Sequence, residues 1–319
     1  SPCSSEVSVE STLGAESELR SMLAPSLATF SRLASVSRIS RSDRVARSIR
    51  TSGFGRAPPR TSTTTAMPRS CFRADGLTDA VQQDTTIHPG WEPGQKQPNP
   101  AGHHRMVEVD PADPEIKSCY PMMISGVVPR PVAFVSTISD EGVANVAPFS
   151  YFGPMSHDPP CVAFSVVRKA GDVKKDTATN LEANGECVVH IISEWFIEAA
   201  NHTCGEFLPE EDEMDISGLT KVPSKIVKPP RCEEAAFAME GKLKHSYDVV
   251  NKAGVVTTTM FVVEVVLFHV HEDVYQASDG RPRVNFSGFQ PISRVGGNTY
   301  SRTTHLFDLA RPKRPETGK

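Results

Sequence analysis

The chain has 319 residues, with 34 Lys and Arg against 38 Asp and Glu for a formal net charge of −4; 38% of its residues are hydrophobic and 23% charged. That composition suits one large globular domain or two ordinary ones, and so small a charge argues against a dedicated nucleic-acid binder, which would carry a basic face within its folded part. No run of 18 apolar residues offers a membrane span, and the 7 cysteines, an odd number without a CxxC pair, suggest neither a zinc ribbon nor a disulfide framework but a reducing compartment.

Residues 1–75 are rich in Ser, Arg, Thr and Ala and lack sustained apolar periodicity, so disorder is expected there. Between Ser21 and Ala74 there are many arginines, no lysine and one acid, Asp43, which resembles an organelle transit peptide. Four glutamates in residues 1–19 speak against one, and an untargeted tail, or a true start at Met67, is the alternative. The expected location is accordingly the cytoplasm, or a mitochondrion or plastid if the segment is a targeting peptide. Residues 76–110, including "HPGWEPGQKQPNPAGHH", read as a Pro/Gly-punctuated arm available to pack over the domain that follows, residues 111–312.

From about Val107 short apolar runs alternate with turn signals. "PVAFVSTI" (131–138) predicts a strand, "SDEG" (139–142) a hairpin turn and "VANVAPFSYF" its partner strand; "SHDPP" then turns into "CVAFSVV" (161–167). A basic loop, "RKAGDVKK", precedes a short helix that begins at Asp176 or Thr177 and stops before Gly185. "ECVVHIIS" (186–193) is a further strand, "EWFIEAANHTC" a second helix, and 205–231 an acidic, Pro-containing connection. "FAMEGKLKHSYDVV" and "VVTTTMFVVEVVLFHVHED" form a long hairpin about "NKAG". Consecutive strands joined by short turns pair antiparallel, and closure into a barrel removes exposed edges.

Two stretches suggest chemistry. In "SVVRKAGDVKKDTATN" a strand end leads through Arg168, Lys169, Lys174 and Lys175 to a helix start bearing Thr177. Fixed positive charge, a hydroxyl and free helix N–H groups are what a phosphate monoester needs, although a solvated basic loop has the same composition. On "VANVAPFSYF", alternation puts Asn145, Ala147 and Phe149 on one face and Val146, Pro148 and Ser150 on the other. Proline is tolerated only at an edge or bulge, where backbone groups remain free for a planar ligand's polar edge; an irregular edge strand with a satisfied Asn is the plain alternative. Among the histidines, His190 reads as a satisfied core residue, and His269 and His271 share a strand face with metal-ligand spacing but lack an evident third ligand.

In this order and spacing, "RPVAFVSTISDEGVANVAPFSYF", "HDPPCVAFSV", "KKDTATNLEANGECVVHIISE", "VKPPRCEEAAFAMEGKL" and "PISRVGGNTYSR" resemble the flavin reductase-like domain family of FMN-binding, flavoredoxin-like proteins, from Tyr120 to Arg302. The resemblance implies a mainly β protein with short helices, a six-stranded antiparallel split barrel that forms a homodimer with FMN near the subunit interface, its mouth covered by "GEFLPEEDEMDISGLT" (205–220). It implies that Asn145, Ala147, Pro148, Phe149 and Ser150 line the isoalloxazine edge, that Ser165, Arg168, Lys175, Asp176 and Thr177 hold the ribityl phosphate, and that Arg130 and Thr137 assist. The implied activity is hydride transfer from NADH or NADPH to flavin, with electrons passing to oxygen, free flavin or an oxygenase partner and no catalytic side chain required. A non-catalytic FMN carrier or redox sensor, or a flavin-dependent oxygenase, remain alternatives. In this family Asn is more usual at the position of His190.

Overall fold

The computed structural model describes residues 81–97, 102 and 105–312. The Ser/Arg-rich segment 1–75, and with it the transit-peptide expectation, lies outside these residues. In chain order the elements are β1 (Gln82–Asp84), α1 (Tyr120–Gly126), β2 (Arg130–Pro131), β3 (Ala133–Ile138), β4 (Ala144–Phe149), β5 (Phe152–His157), β6 (Pro160–Val167), α2 (Asp176–Asn184), β7 (Glu186–Ile191), a 3-10 turn (Glu194–Phe196) and α3 (Ile197–His202). There follow α4 (Glu213–Ile216), β8 (Lys221–Val222), β9 (Arg231–Cys232), β10 (Phe237–Val250), β11 (Val256–Val270), β12 (Tyr275–Ser278), β13 (Arg281–Val284), α5 (Phe286–Phe289), β14 (Ile292–Arg294), β15 (Tyr300–Arg302) and β16 (His305–Phe307).

Seven strands form one sheet in the order β4-β3-β7-β10-β11-β6-β5, every neighbouring pair antiparallel. In a flat sheet the first and sixth of these would stand about 24 Å apart, at about 4.8 Å per strand. Instead Phe149 of β4 and Phe164 of β6 bring their ring centroids to 5.6 Å. The sheet therefore curls until its two ends meet through side chains, while the hydrogen-bonded ladder stays open, with β4 and β5 as its edges. The interior holds Val135, Val162, Phe164, Val166, Val189, Phe261 and Val263, and α2 adds Ala178 and Leu181.

Strand alternation explains which residues fill this core. Odd positions of β3, β4 and β7 (Ala133, Val135, Phe149, Cys187, Val189) face inward, and even ones (Phe134, Val146) join a second apolar cluster on the outer face with Met214, Leu219 and Cys232. The connection 205–231, of which 205–220 was expected over the barrel mouth, packs against that outer face. Met214, Leu219 and Val227 are buried there, and the outward Phe134, Val146 and Val188 supply the apolar surface they need.

The seventh strand, β5, was not expected: its first residue falls at the end of the strand read over 143–152 and its last two in the SHDPP turn. Pro154 and Ser156 break its alternation, and they coincide with a register shift in the β5–β6 ladder, which is where an edge strand accommodates proline. The expected SDEG hairpin, the α2 boundaries at Asp176 and before Gly185, and the long β10–β11 hairpin are all present. The arm residues Gln82–Asp84 pair in parallel with His305–Phe307.

Candidate functional site

The irregular strand β4 is one wall of the site. Val146 donates its backbone N–H to Glu213 Oε2 at 3.1 Å, so it points away from β3; by alternation the groups of residues 144, 146 and 148 lie on the outer edge. Pro148 thus occupies a position whose N–H would not have joined the ladder, and its presence costs no sheet hydrogen bond. Ala147, Pro148 and Ser150 are half-buried and Phe149 belongs to the core.

Asn145 is buried and both ends of its amide are engaged. Its Oδ1 accepts from Thr137 Oγ1 at 3.2 Å and Thr177 Oγ1 at 2.7 Å, and its Nδ2 donates to Glu213 Oε1 at 2.7 Å. Asn180 Nδ2 donates to Thr137 Oγ1 at 3.1 Å. Three expected site residues, Thr137, Asn145 and Thr177, therefore touch one another, and this network ties the start of α2 to β4. The hydroxyl of Thr177 is turned inward, so what this residue offers a ligand at the helix start is its backbone N–H. Burial pushes the Glu213 carboxyl above its ordinary range; the hydrogen bonds from Val146 and Asn145 pull the other way, and the charge of Asp176 adds to the rise.

Helix α2 has nine residues, and Lys175 at its N-cap makes no side-chain cap. The first N–H groups of a helix have no intrahelical partner, so they are available to an anion at the positive end of the helix dipole. Lys175 is exposed, whereas Lys174 is paired with Glu182.

Arg168 stands where β6 runs into the loop before α2. Its side chain is only 6% exposed. Nη2 donates to Thr259 Oγ1 at 2.8 Å and Asp248 Oδ1 at 3.1 Å, and the Asp248 carboxyl is held below its usual range by the hydrogen bonds from Thr259 and Arg168. Nε lies 3.8 Å from Asp172 Oδ1, too far for a hydrogen bond, and is a buried nitrogen without a partner. Such an orphaned donor, at the start of the loop that leads to an uncapped helix start, has the chemistry a phosphate needs.

Two expected residues stand apart from this network, Arg130 meeting an expected partner only in Ser150. Arg130 is a structural clamp: Nη1 donates to the carbonyls of Ile124 (2.5 Å) and Val127 (2.7 Å), Nη2 to Val295 (2.9 Å), and Nε to Ser150 Oγ (3.3 Å). Ser165 alternates out of the core, opposite Met260 of β11. Sequence reasoning missed Glu213, Asn180, Asp248 and Thr259. The only signal for Glu213 was the need of a buried Asn for partners, and nothing local names a residue 68 positions away.

Away from this end, His190 is wholly buried. Its Nδ1 donates to the Phe134 carbonyl at 2.8 Å and its Nε2 accepts from the Cys232 N–H at 3.0 Å. His269 Nε2 lies 2.6 Å from Glu240 Oε1, and His271 Nδ1 is 3.6 Å from Asp273.

A model of the flavin reductase like domain matches residues 124–288, which include the entire seven-stranded sheet. The chain belongs to this family. Among its relatives, YwrF of Bacillus subtilis is 39% identical over 196 residues, 61% of this chain and 94% of that protein. Among solved structures, nitrilotriacetate monooxygenase component B from Bacillus cereus is 35% identical with a TM-score of 0.61, covering 65% of this chain and 100% of that one. The 2-nitrobenzoate 2-nitroreductase NbaA of Pseudomonas fluorescens is 28% identical with a TM-score of 0.55, covering 67% and 98%. A split barrel domain structure from Shewanella frigidimarina, 17% identical at a TM-score of 0.51 over 61% and 90% of the two chains, shares the fold.

Proposed function

We propose that this chain is an FMN-binding reductase that uses NADH or NADPH and works as a homodimer, delivering electrons to oxygen, to free flavin or to an oxygenase partner. The observation that carries the reading is an uncapped α2 N-terminus tied to the edge strand β4 through Thr177 and Asn145, with the orphaned Nε of Arg168 at the start of the loop that leads to it. Bound flavin would supply hydride acceptance and onward electron transfer. The residues of the chain position and enclose it. The first-turn N–H groups of α2, Lys175 and Arg168 would hold the phosphate, and Ala147, Pro148 and Ser150 would lie along the ring edge, where half-buried small side chains permit close approach. Asn145, Thr137 and Thr177 support that wall from behind, through the hydrogen bonds they make to one another. The partner is suggested by the likeness to component B of a monooxygenase.

The test is direct. The purified protein is expected to be yellow, or to become so with added FMN, and to oxidise NADH or NADPH with FMN, FAD or riboflavin as acceptor. A colourless protein that takes up no FMN would sink the reading. A yellow one that oxidises neither nicotinamide would leave a carrier or sensor.

A further inference from the structure

Glu213 enters the site from a distant segment. It opens α4, a single turn capped by Asp212, whose carboxylate accepts from the N–H groups of Met214 and Asp215. Met214, fully buried in the outer cluster, anchors that turn. The Glu213 side chain then laps over the edge of β4, so that one carboxylate oxygen takes the Val146 N–H and the other takes Asn145 Nδ2.

This arrangement dictates a direction. Only a group that accepts at both oxygens can meet two donors, so the Asn145 amide must present Nδ2 to Glu213 and Oδ1 to the interior. Oδ1 then receives the hydroxyl protons of Thr137 and Thr177, and Thr137 Oγ1 in turn accepts from Asn180. Thr177 and Asn180 both belong to α2, and Glu213, Asn145, Thr137, Thr177 and Asn180 are all buried. The chain of bonds runs from the connection, through the β4 wall, to the helix whose start is the phosphate seat of the reading above.

We infer that Glu213 is a positioning residue: by orienting the Asn145 amide it sets the α2 N-terminus relative to β4, and so matches the spacing of phosphate seat and ring wall to one flavin nucleotide. The inference rests on the FMN reading. It also confines the ligand-accessible part of this wall to Ala147–Ser150, because Glu213 closes Val146.

The test compares FMN with riboflavin, which carries the same ring without the phosphate, by titration of the full-length protein. The wild type is expected to prefer FMN. In Glu213→Gln one acceptor becomes a donor facing another donor, and the preference for FMN over riboflavin is expected to fall about tenfold, the effect of losing one charge-assisted hydrogen bond. A purely structural glutamate would weaken both ligands equally and leave the ratio unchanged, which overturns the inference. The double variant Glu213→Gln with Asn145→Asp restores complementarity, since the new carboxylate accepts from the Gln amide and both threonines while the Gln oxygen accepts from Val146. It is expected to recover the ratio, and if the single variant does not fold, a folded double variant without the FMN preference overturns the inference. A wild type that binds neither flavin overturns the flavin reading itself. One that binds FMN, with a ratio untouched by Glu213→Gln, defeats only the positioning role.

Discussion

At the scale of single residues, Arg168 and Asn145 show how differently two expected ligand-binding residues can be used. Arg168 spends one terminal nitrogen on Asp248 and Thr259 and keeps a buried Nε without a partner. That unmet donor is costly unless something anionic completes it. Arg168→Ala is therefore expected to weaken FMN by about 1.5–3 kcal/mol, the range for hydrogen bonds to charged groups, and riboflavin much less; equal losses for both ligands in calorimetric titration would remove Arg168 from the phosphate seat. Asn145 was conspicuous in the sequence because a core strand has no use for an unsatisfied amide. Its partners could not be read there, since Thr177 and Glu213 are brought to it only when α2 and the connection fold back onto β4.

At the scale of elements, patterns confined to a few neighbouring residues were the legible ones. The α2 limits followed from Asp176 and from Gly185, which takes the left-handed conformation at the helix end with φ 72°, and the β3–β4 turn from Gly142 at φ 87°. Strand β5 was missed because its proline and bulge hide the alternation by which strands are found. A second bulge makes an element-scale prediction possible. Gly241 sits at the Glu240/Gly241 register shift of the β10–β11 ladder, and a Cβ there would collide with Val263 Cγ1, part of a fully buried branched side chain that cannot swing aside. Gly241→Ala is expected to cost about 1–3 kcal/mol, as overpacking does. Chemical denaturation should show a lower midpoint at unchanged m-value, and an unaltered midpoint would mean that the bulge relaxes freely.

At the scale of the whole molecule, the connection 205–231 and the strand after it are held to the barrel by buried titratable groups. Glu240 accepts the N–H groups of Lys225 (2.7 Å), Ile226 (2.6 Å) and Val227 (3.1 Å). Burial alone would raise its carboxyl, but these bonds and His269 hold it below the ordinary 4.5. Its contribution is present above pH 4.5 and is lost as pH falls through the depressed value. His190 must stay neutral to accept the Cys232 N–H. Burial drives its pKa from 6.5 down to about 4, against the Phe134 carbonyl and with help from Arg231 and His269. The unfolded chain takes up that proton near 6.5 and the native one only near 4, so stability is complete above this window and falls through it, by on the order of 3 kcal/mol. Urea midpoints at pH 7.5 and pH 5 should drop accordingly and the drop should shrink in His190→Asn; a midpoint independent of pH in the wild type would contradict the assignment.

The sequence by itself determined what depends on near neighbours. It located six of the seven strands of the main sheet by their apolar runs, the helix α2 by its ends, the edge character of β4 by Pro148, and the family by a collinear series of motifs. The tertiary structure decided what depends on chain segments far apart. It curled seven strands until Phe149 met Phe164, laid the connection on the outer face, made a clamp of Arg130, and gave Asn145 the carboxylate of Glu213. A hydrogen bond between residues 68 positions apart leaves no period in the sequence, because its geometry exists only once the hydrophobic core has brought both ends together.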